Sequence, residues 1–275
     1  MSYNSKMKKL KKDKIFVKEC QDNILKIIKP GDVILEKGHY GLSDFYLAVP
    51  FYFIKLEAKR LYGKKAIVDD IHIVRFLSPD KILNVTPPVA KWSTIENICL
   101  EDITIYTSTE YQYTDKDIKI IIDGMEAEHE YIDDNGISYK MKLIGSKYGI
   151  GDLFDFLVNG LGGYENKRKI SFFDTTKNTK VCSTGIGISE AYLRHYKEQF
   201  YKNELIPKRW FSEIICEQKF YDENPKRAKL IINDWNKNNK RLDNEMYRPS
   251  TFANSVYYRN EFKKILRMSL GKIIE

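Results

Sequence analysis

Two β-favouring runs joined by a short turn constrain this chain more than any other feature. The first, Ala66 to Phe76, contains the apolar stretch Ile71-His72-Ile73-Val74. The second is Lys81 to Val85, and Ser78-Pro79-Asp80 lies between them. Runs of this length around a Pro-Asp connector read as an antiparallel hairpin. Two more strands are expected at Asp32 to Lys37 and Ile103 to Tyr106. Helical spacing appears over residues 15–29, where Ile15, Phe16, Cys20, Ile24, Leu25 and Ile28 are apolar and Pro30-Gly31-Asp32 supplies the stop.

The remaining segments extend the same mixture. A helix capped by Ser43 or Asp44 is expected to run to about Tyr62, with a kink near Pro50. Residues 116–130 suit another helix, and Asp133-Asp134-Asn135-Gly136 is a turn. Gly149-Ile150-Gly151-Asp152 opens an apolar helix over Leu153 to Leu161. Lys180 to Cys182 leads into a helix through about Tyr201, and the remainder reads as charged, aromatic and mostly helical or irregular. There is no internal repeat and no long linker. The expectation is an α+β chain with a basic helical extension over 1–29 and one domain over 30–275.

A chain of 275 residues with ordinary apolar and charged fractions buries a substantial core. Its four cysteines, Cys20, Cys99, Cys182 and Cys216, form no CxxC pair, which argues against a zinc ribbon and against a small disulfide scaffold. The basic N-terminus lacks the apolar core of a signal peptide. The longest apolar run, Phe45 to Ile54, contains Pro50 and is too short for a transmembrane segment. These features lead to an expectation of a cytoplasmic protein in a reducing compartment.

The net charge of +8 is unevenly placed. Lys6, Lys8, Lys9, Lys11, Lys12 and Lys14 form one basic cluster. Lys226, Arg227, Lys229, Lys237, Lys240 and Arg241 form another. Such clusters attract nucleic acid or other anionic polymers, although solvated helix faces are the preferred reading.

Cys182 stands where extended residues give way to a helical pattern, in Val181-Cys182-Ser183-Thr184-Gly185-Ile186-Gly187. At a helix N-terminus the dipole favours thiolate over thiol. A cysteine nucleophile also needs an imidazole, a group to orient it and oxyanion donors. His72 supplies the imidazole. Asn84, on the strand after the histidine strand, is the expected orienting group. The backbone N–H of Cys182 is an expected oxyanion donor. The other cysteines read as small buried apolar residues. His39 reads as a surface-turn residue, His129 as part of a solvated acidic face, and His195 as too far along its helix to meet the sulfur. Asp69-Asp70 with His72 lacks a second ligand set, so no metal is expected. Gly185-x-Gly187 lacks the lysine of a phosphate loop, and nothing fixes Glu126 and Glu128 across a cleft.

The order of these segments resembles circularly permuted papain-like hydrolases related to the NlpC cell-wall peptidases. Gly31-Asp32-Val33-Ile34-Leu35 resembles their opening strand and Ile71-His72-Ile73-Val74 their histidine strand. Ile82-Leu83-Asn84-Val85-Thr86-Pro87 resembles the strand bearing the third polar residue, often glutamate. Lys147-Tyr148-Gly149-Ile150-Gly151-Asp152-Leu153 is similar to the lead into the intermediate helix. Val181-Cys182-Ser183 is similar to the cysteine motif, and Tyr247-Arg248-Pro249-Ser250-Thr251-Phe252 to a late Thr-Pro segment. The resemblance covers about residues 30–256. Thr184-Gly185 departs from the usual acidic-apolar pair, and Asn84 from the usual glutamate.

The resemblance implies a small antiparallel sheet packed against the cysteine-bearing helix, with additional helices. It also implies a cysteine hydrolase of amide bonds, a peptidase or amidase, with esters as lesser substrates. Peptide-like or cell-wall material would be the substrate, and no cofactor would be needed. The competing expectation is an inactive hydrolase-like binding module that uses its basic surface for nucleic acid or an anionic polymer. A third is a structural component of a phage or mobile-element particle.

Overall fold

The computed structural model describes residues 3–38, 64–86, 89–132, 138–148, 179–180, 182–207, 249–254 and 261–274, together with Tyr52, Lys55, Leu56 and Lys59. The helix expected to end near Tyr62 falls mostly outside these residues, and the one expected over 153–161 wholly outside. The chain divides into two compact units. The first comprises Met1–Leu83, Trp92–Gln112 and Arg248–Glu275, and the second Asn84–Lys91 and Tyr113–Tyr247. Among the described residues no helix is long and apolar enough to cross a membrane.

The first unit opens with α1 (Tyr3–Leu10) and α2 (Lys14–Leu25). Asp13 caps α2 by accepting a hydrogen bond from the Phe16 N–H at 3.0 Å, the usual remedy for an unpaired first-turn amide. Val17, Cys20 and Ile24 are the buried residues of α2, and their spacings of three and four place them on one face. After the helix, the Asp32 carboxylate accepts from the Lys29 N–H at 2.8 Å, and Gly31 takes a φ of 92°. Such a φ suits a residue without a Cβ.

The largest sheet has seven antiparallel strands in the order β11-β10-β5-β1-β2-β3-β4. These are β1 (Val33–Lys37), β2 (Asp70–Ser78), β3 (Lys81–Val85), β4 (Ala90–Ser93), β5 (Ile103–Ser108), β10 (Phe262–Ser269) and β11 (Lys272–Ile273). A short helix, α3 (Ile95–Ile98), follows β4. The expected hairpin is β2–β3, closed with Ser78 opposite Lys81. The central strand β1 buries Val33, Ile34 and Leu35 completely, so it lacks the alternation of a strand with one wet face.

Register decides which side chains meet. Ile34 pairs with Val74 and Ile105, Ile105 with Leu266, Phe76 with Ile82, and Ile103 with Met268. Paired residues share a face. That face forms one core with Val17, Cys20 and Ile24 of α2, Ile95 and Ile98 of α3, and Cys99 and Leu100. A further helix, α6 (Pro249–Asn254), places Phe252 edge-on to Tyr106, with centroids 5.1 Å apart, and against Phe262 at 5.0 Å. Asn254 exchanges two hydrogen bonds with the backbone of Ile67.

The sequence reading placed no strand near the C-terminal end, yet residues 262–273 form the β10–β11 hairpin. Leu266 and Met268 point into the core, while Lys263 and Lys264 are exposed. The period of two is short and set among charges. Leu270 and Gly271 form the turn at positive φ, and Cys20 Sγ donates to the Gly271 carbonyl at 3.3 Å.

The second unit contains α4 (Asp115–Glu126) and α5 (Cys182–Phe200), which pack together. Thr114 and Asp117 form a reciprocal capping box at the start of α4. The expected helix over 116–130 stops early, because Ala127 is extended and β6 (His129–Ile132) pairs with β7 (Ser138–Met141). A two-residue parallel pair joins β8 (Lys147–Tyr148) to β9 (Thr179–Lys180). Gly124 lies directly under the Tyr192 ring, so the absent Cβ lets α4 and α5 approach. Lys197 of α5 reaches Asp117 of α4 at 2.9 Å, with both side chains buried.

Candidate active site

Cys182 is the first residue of α5, as the extended-to-helical change in the sequence suggested, and is 6% exposed. The first amides of a helix have no partner within it and present the positive end of its dipole. Gly185, one turn on, lets this end of the helix meet β3. A Cβ there would overlap Cγ2 of Val85. Val85 follows Asn84, so the residue expected to be the orienting group lies beside the strand position that touches the cysteine helix. Along β3, Ile82 and Asn84 alternate with Leu83 and Val85.

His72 lies on β2 in the first unit, whereas Cys182 and Asn84 belong to the second. Within its own unit His72 is brought to a residue that sequence reasoning missed. Glu36 of β1 is directly opposite His72 in the strand register, and His72 Nε2 lies 4.0 Å from Glu36 Oε2. Both side chains are largely buried, with 13% and 17% exposure. Burial pushes the Glu36 carboxyl up to about 7, where charged and neutral forms coexist at neutral pH. Among the described residues Glu36 Oε1 is buried with no hydrogen-bond partner. The signal for Glu36 was present in the sequence as a carboxylate directly after Val33-Ile34-Leu35, but pairing it with His72 requires the register of two strands far apart in the chain.

More polar groups gather at this end of the sheet. Asp70, 3% exposed, is pushed up to about 6 mainly by burial. Lys37 and Arg267 oppose that rise, and Asp69 and Asp102 reinforce it. Asp69 itself is held below the ordinary carboxylate range, chiefly by Lys55, whose ammonium is 2.8 Å away. Among the described residues Asp70 Oδ1 and Arg267 Nε are buried with no hydrogen-bond partner. Among the described residues no group of three or more His, Cys, Asp or Glu side chains has a metal-binding arrangement.

Cys20 and Cys99 lie in the core, where burial raises both thiols, that of Cys99 to about 12. His195 is exposed on α5, its ring 2.9 Å from Gln199 Nε2. Cys216, His39 and the second basic cluster lie outside the described residues. All six lysines of the first cluster are exposed, and Lys11 and Lys14 face Glu101 and Glu96 across loose ion pairs. That is the geometry of a solvated helix face.

Comparisons with protein-family models, curated proteins and solved structures return no match to this chain.

Proposed function

We propose that this chain is a thiol-dependent hydrolase of an amide bond, built on a permuted papain-like fold. Cys182 is its nucleophile and His72 its general base. The observation that carries the reading is the burial of the histidine beside a carboxylate, a setting that suits a proton-transferring imidazole better than a core residue. The position of Cys182 at the first turn of α5 supports it from the other side of the reaction.

In the proposed reaction His72 takes the Cys182 S–H proton, and the sulfur attacks the substrate carbonyl carbon. The carbonyl oxygen becomes an oxyanion, which the Cys182 backbone N–H stabilises. Collapse breaks the C–N bond as His72 returns its proton to the leaving nitrogen. Water, deprotonated by His72, then cleaves the thioester and restores the thiol. Asn84 is proposed as a group that orients the imidazole. A peptide-like substrate, such as a cell-wall peptide, is the proposed class.

A thiol-directed activity probe, with the labelled cysteine located by peptide mass mapping, tests the reading. The expected label is on Cys182, is lost in Cys182→Ala, and falls at least about tenfold in rate in His72→Gln. Labelling that stays on other cysteines, or a rate indifferent to His72, overturns it.

A further inference from the structure

We infer that Glu36 is the positioning residue of His72: its carboxylate fixes the imidazole with the Nε2 proton directed at Glu36, leaving Nδ1 to exchange protons with the thiol. This deepens the proposed hydrolase reading and rests on it for the role of Nδ1.

Three observations carry the inference. First, Glu36 and His72 are register partners on adjacent antiparallel strands, so their side chains leave the same face of the sheet side by side. Backbone pairing imposes that proximity, and no side-chain flexibility is needed to produce it. Second, the ring nitrogen within ion-pair reach of the carboxylate is Nε2, at 4.0 Å from Oε2. That separation is within ion-pair range and longer than a hydrogen bond. Third, the pairing slips by one residue immediately beyond this pair, where Lys37 lies opposite Asp70 instead of Ile71. A bulge of this kind re-aims the side chains beside it and is common next to active sites.

The chemistry follows from charge. A buried carboxylate with an unbonded oxygen is costly unless a cation forms beside it. Proton transfer from sulfur to Nδ1 makes His72 an imidazolium, and its Nε2–H then donates to an ionised Glu36. The pair carries no net charge while the thiolate attacks. An amide orienting group such as Asn84 offers no such compensation. The charged groups at this end of the sheet gather around Asp70 of β2: Lys37 on β1, Asp69 just before β2 with Lys55 paired to it, Asp102 before β5 and Arg267 on β10.

Imidazole nitrogen NMR on histidine-labelled protein tests this without substrate. The chain has four histidines, and the signals lost in His72→Gln assign the ring. Wild-type neutral His72 is expected as the Nε2–H tautomer. In Glu36→Gln its titration midpoint is expected to fall by about one pH unit or more, with partial recovery in Glu36→Asp. An Nδ1–H tautomer in the wild type overturns the inference even if no Glu36 variant folds. An unchanged midpoint in folded Glu36→Gln overturns it too. Repeating the titration in Cys182→Ala separates the two claims. A retained Nε2–H tautomer in a protein whose wild type never labels on Cys182 sinks the hydrolase reading alone.

Discussion

Glu36 follows three wholly buried residues on the central strand, and its carboxyl is itself held high by burial. The sign of its effect on stability is set by that shift. The folded protein holds the Glu36 proton up to about 7, whereas the unfolded chain releases it near the ordinary 4.5. The resulting stability is full below the unfolded value and is lost as pH rises through the folded one. Asp32 and Asp70, both raised to about 6 by burial, act in the same direction between 3.8 and 6. Thermal melts are therefore expected to show a less stable protein at pH 8 than at pH 5. Glu36→Gln removes one share of that drop, at most roughly 3 kcal/mol from the size of the shift. An identical drop in wild type and variant would show that Glu36 ionises freely in the fold.

At the scale of elements, the cysteine helix is set against its strand by the lack of a side chain. Gly185→Ala would push a methyl group into Val85. The expected loss is about 1–3 kcal/mol, because a packed helix start cannot give way cheaply. Adding Val85→Ala should recover most of it, so urea denaturation of the four proteins in that cycle measures the coupling. Strictly additive losses would mean that the two residues do not meet. Much at this scale was readable beforehand. The stop after α2, the β2–β3 hairpin and the start of α5 at Cys182 all follow from local residues. What was missed depends on partners distant in sequence. β4 and α3 have only four residues each, too few for any period to show. β10 is a strand because β5 accepts it, despite its charges. Cys182 and Asn84 were picked from a local pattern, whereas Glu36 is distinguished only by lying across from His72, thirty-six positions on in the numbering.

For the whole molecule, the first unit gathers three separated stretches, which supply β1 and β2, β5, and β10 and β11 of the seven-stranded sheet. β10 lies between β5 and β11, so a chain ending at Tyr247 lacks both outer strands and Phe252 and Phe262 as well. Such a truncated chain is expected to lose cooperative melting of the first unit and to aggregate through the bare backbone of β5. A cooperative, monomeric melt like that of the full chain would show that the hairpin is an accessory.

The long separation of β5 from its outer neighbour also bears on how the molecule is made. Translation delivers β5 early, and residues 109–261 must all follow before β10 arrives to cover it. Throughout that interval the growing polypeptide carries a half-finished sheet with one raw margin, a surface to which chaperones, or other nascent chains, can bind. Slower elongation would lengthen that exposure, so codon choice over 109–261 should influence the yield of native protein without altering a single contact in it.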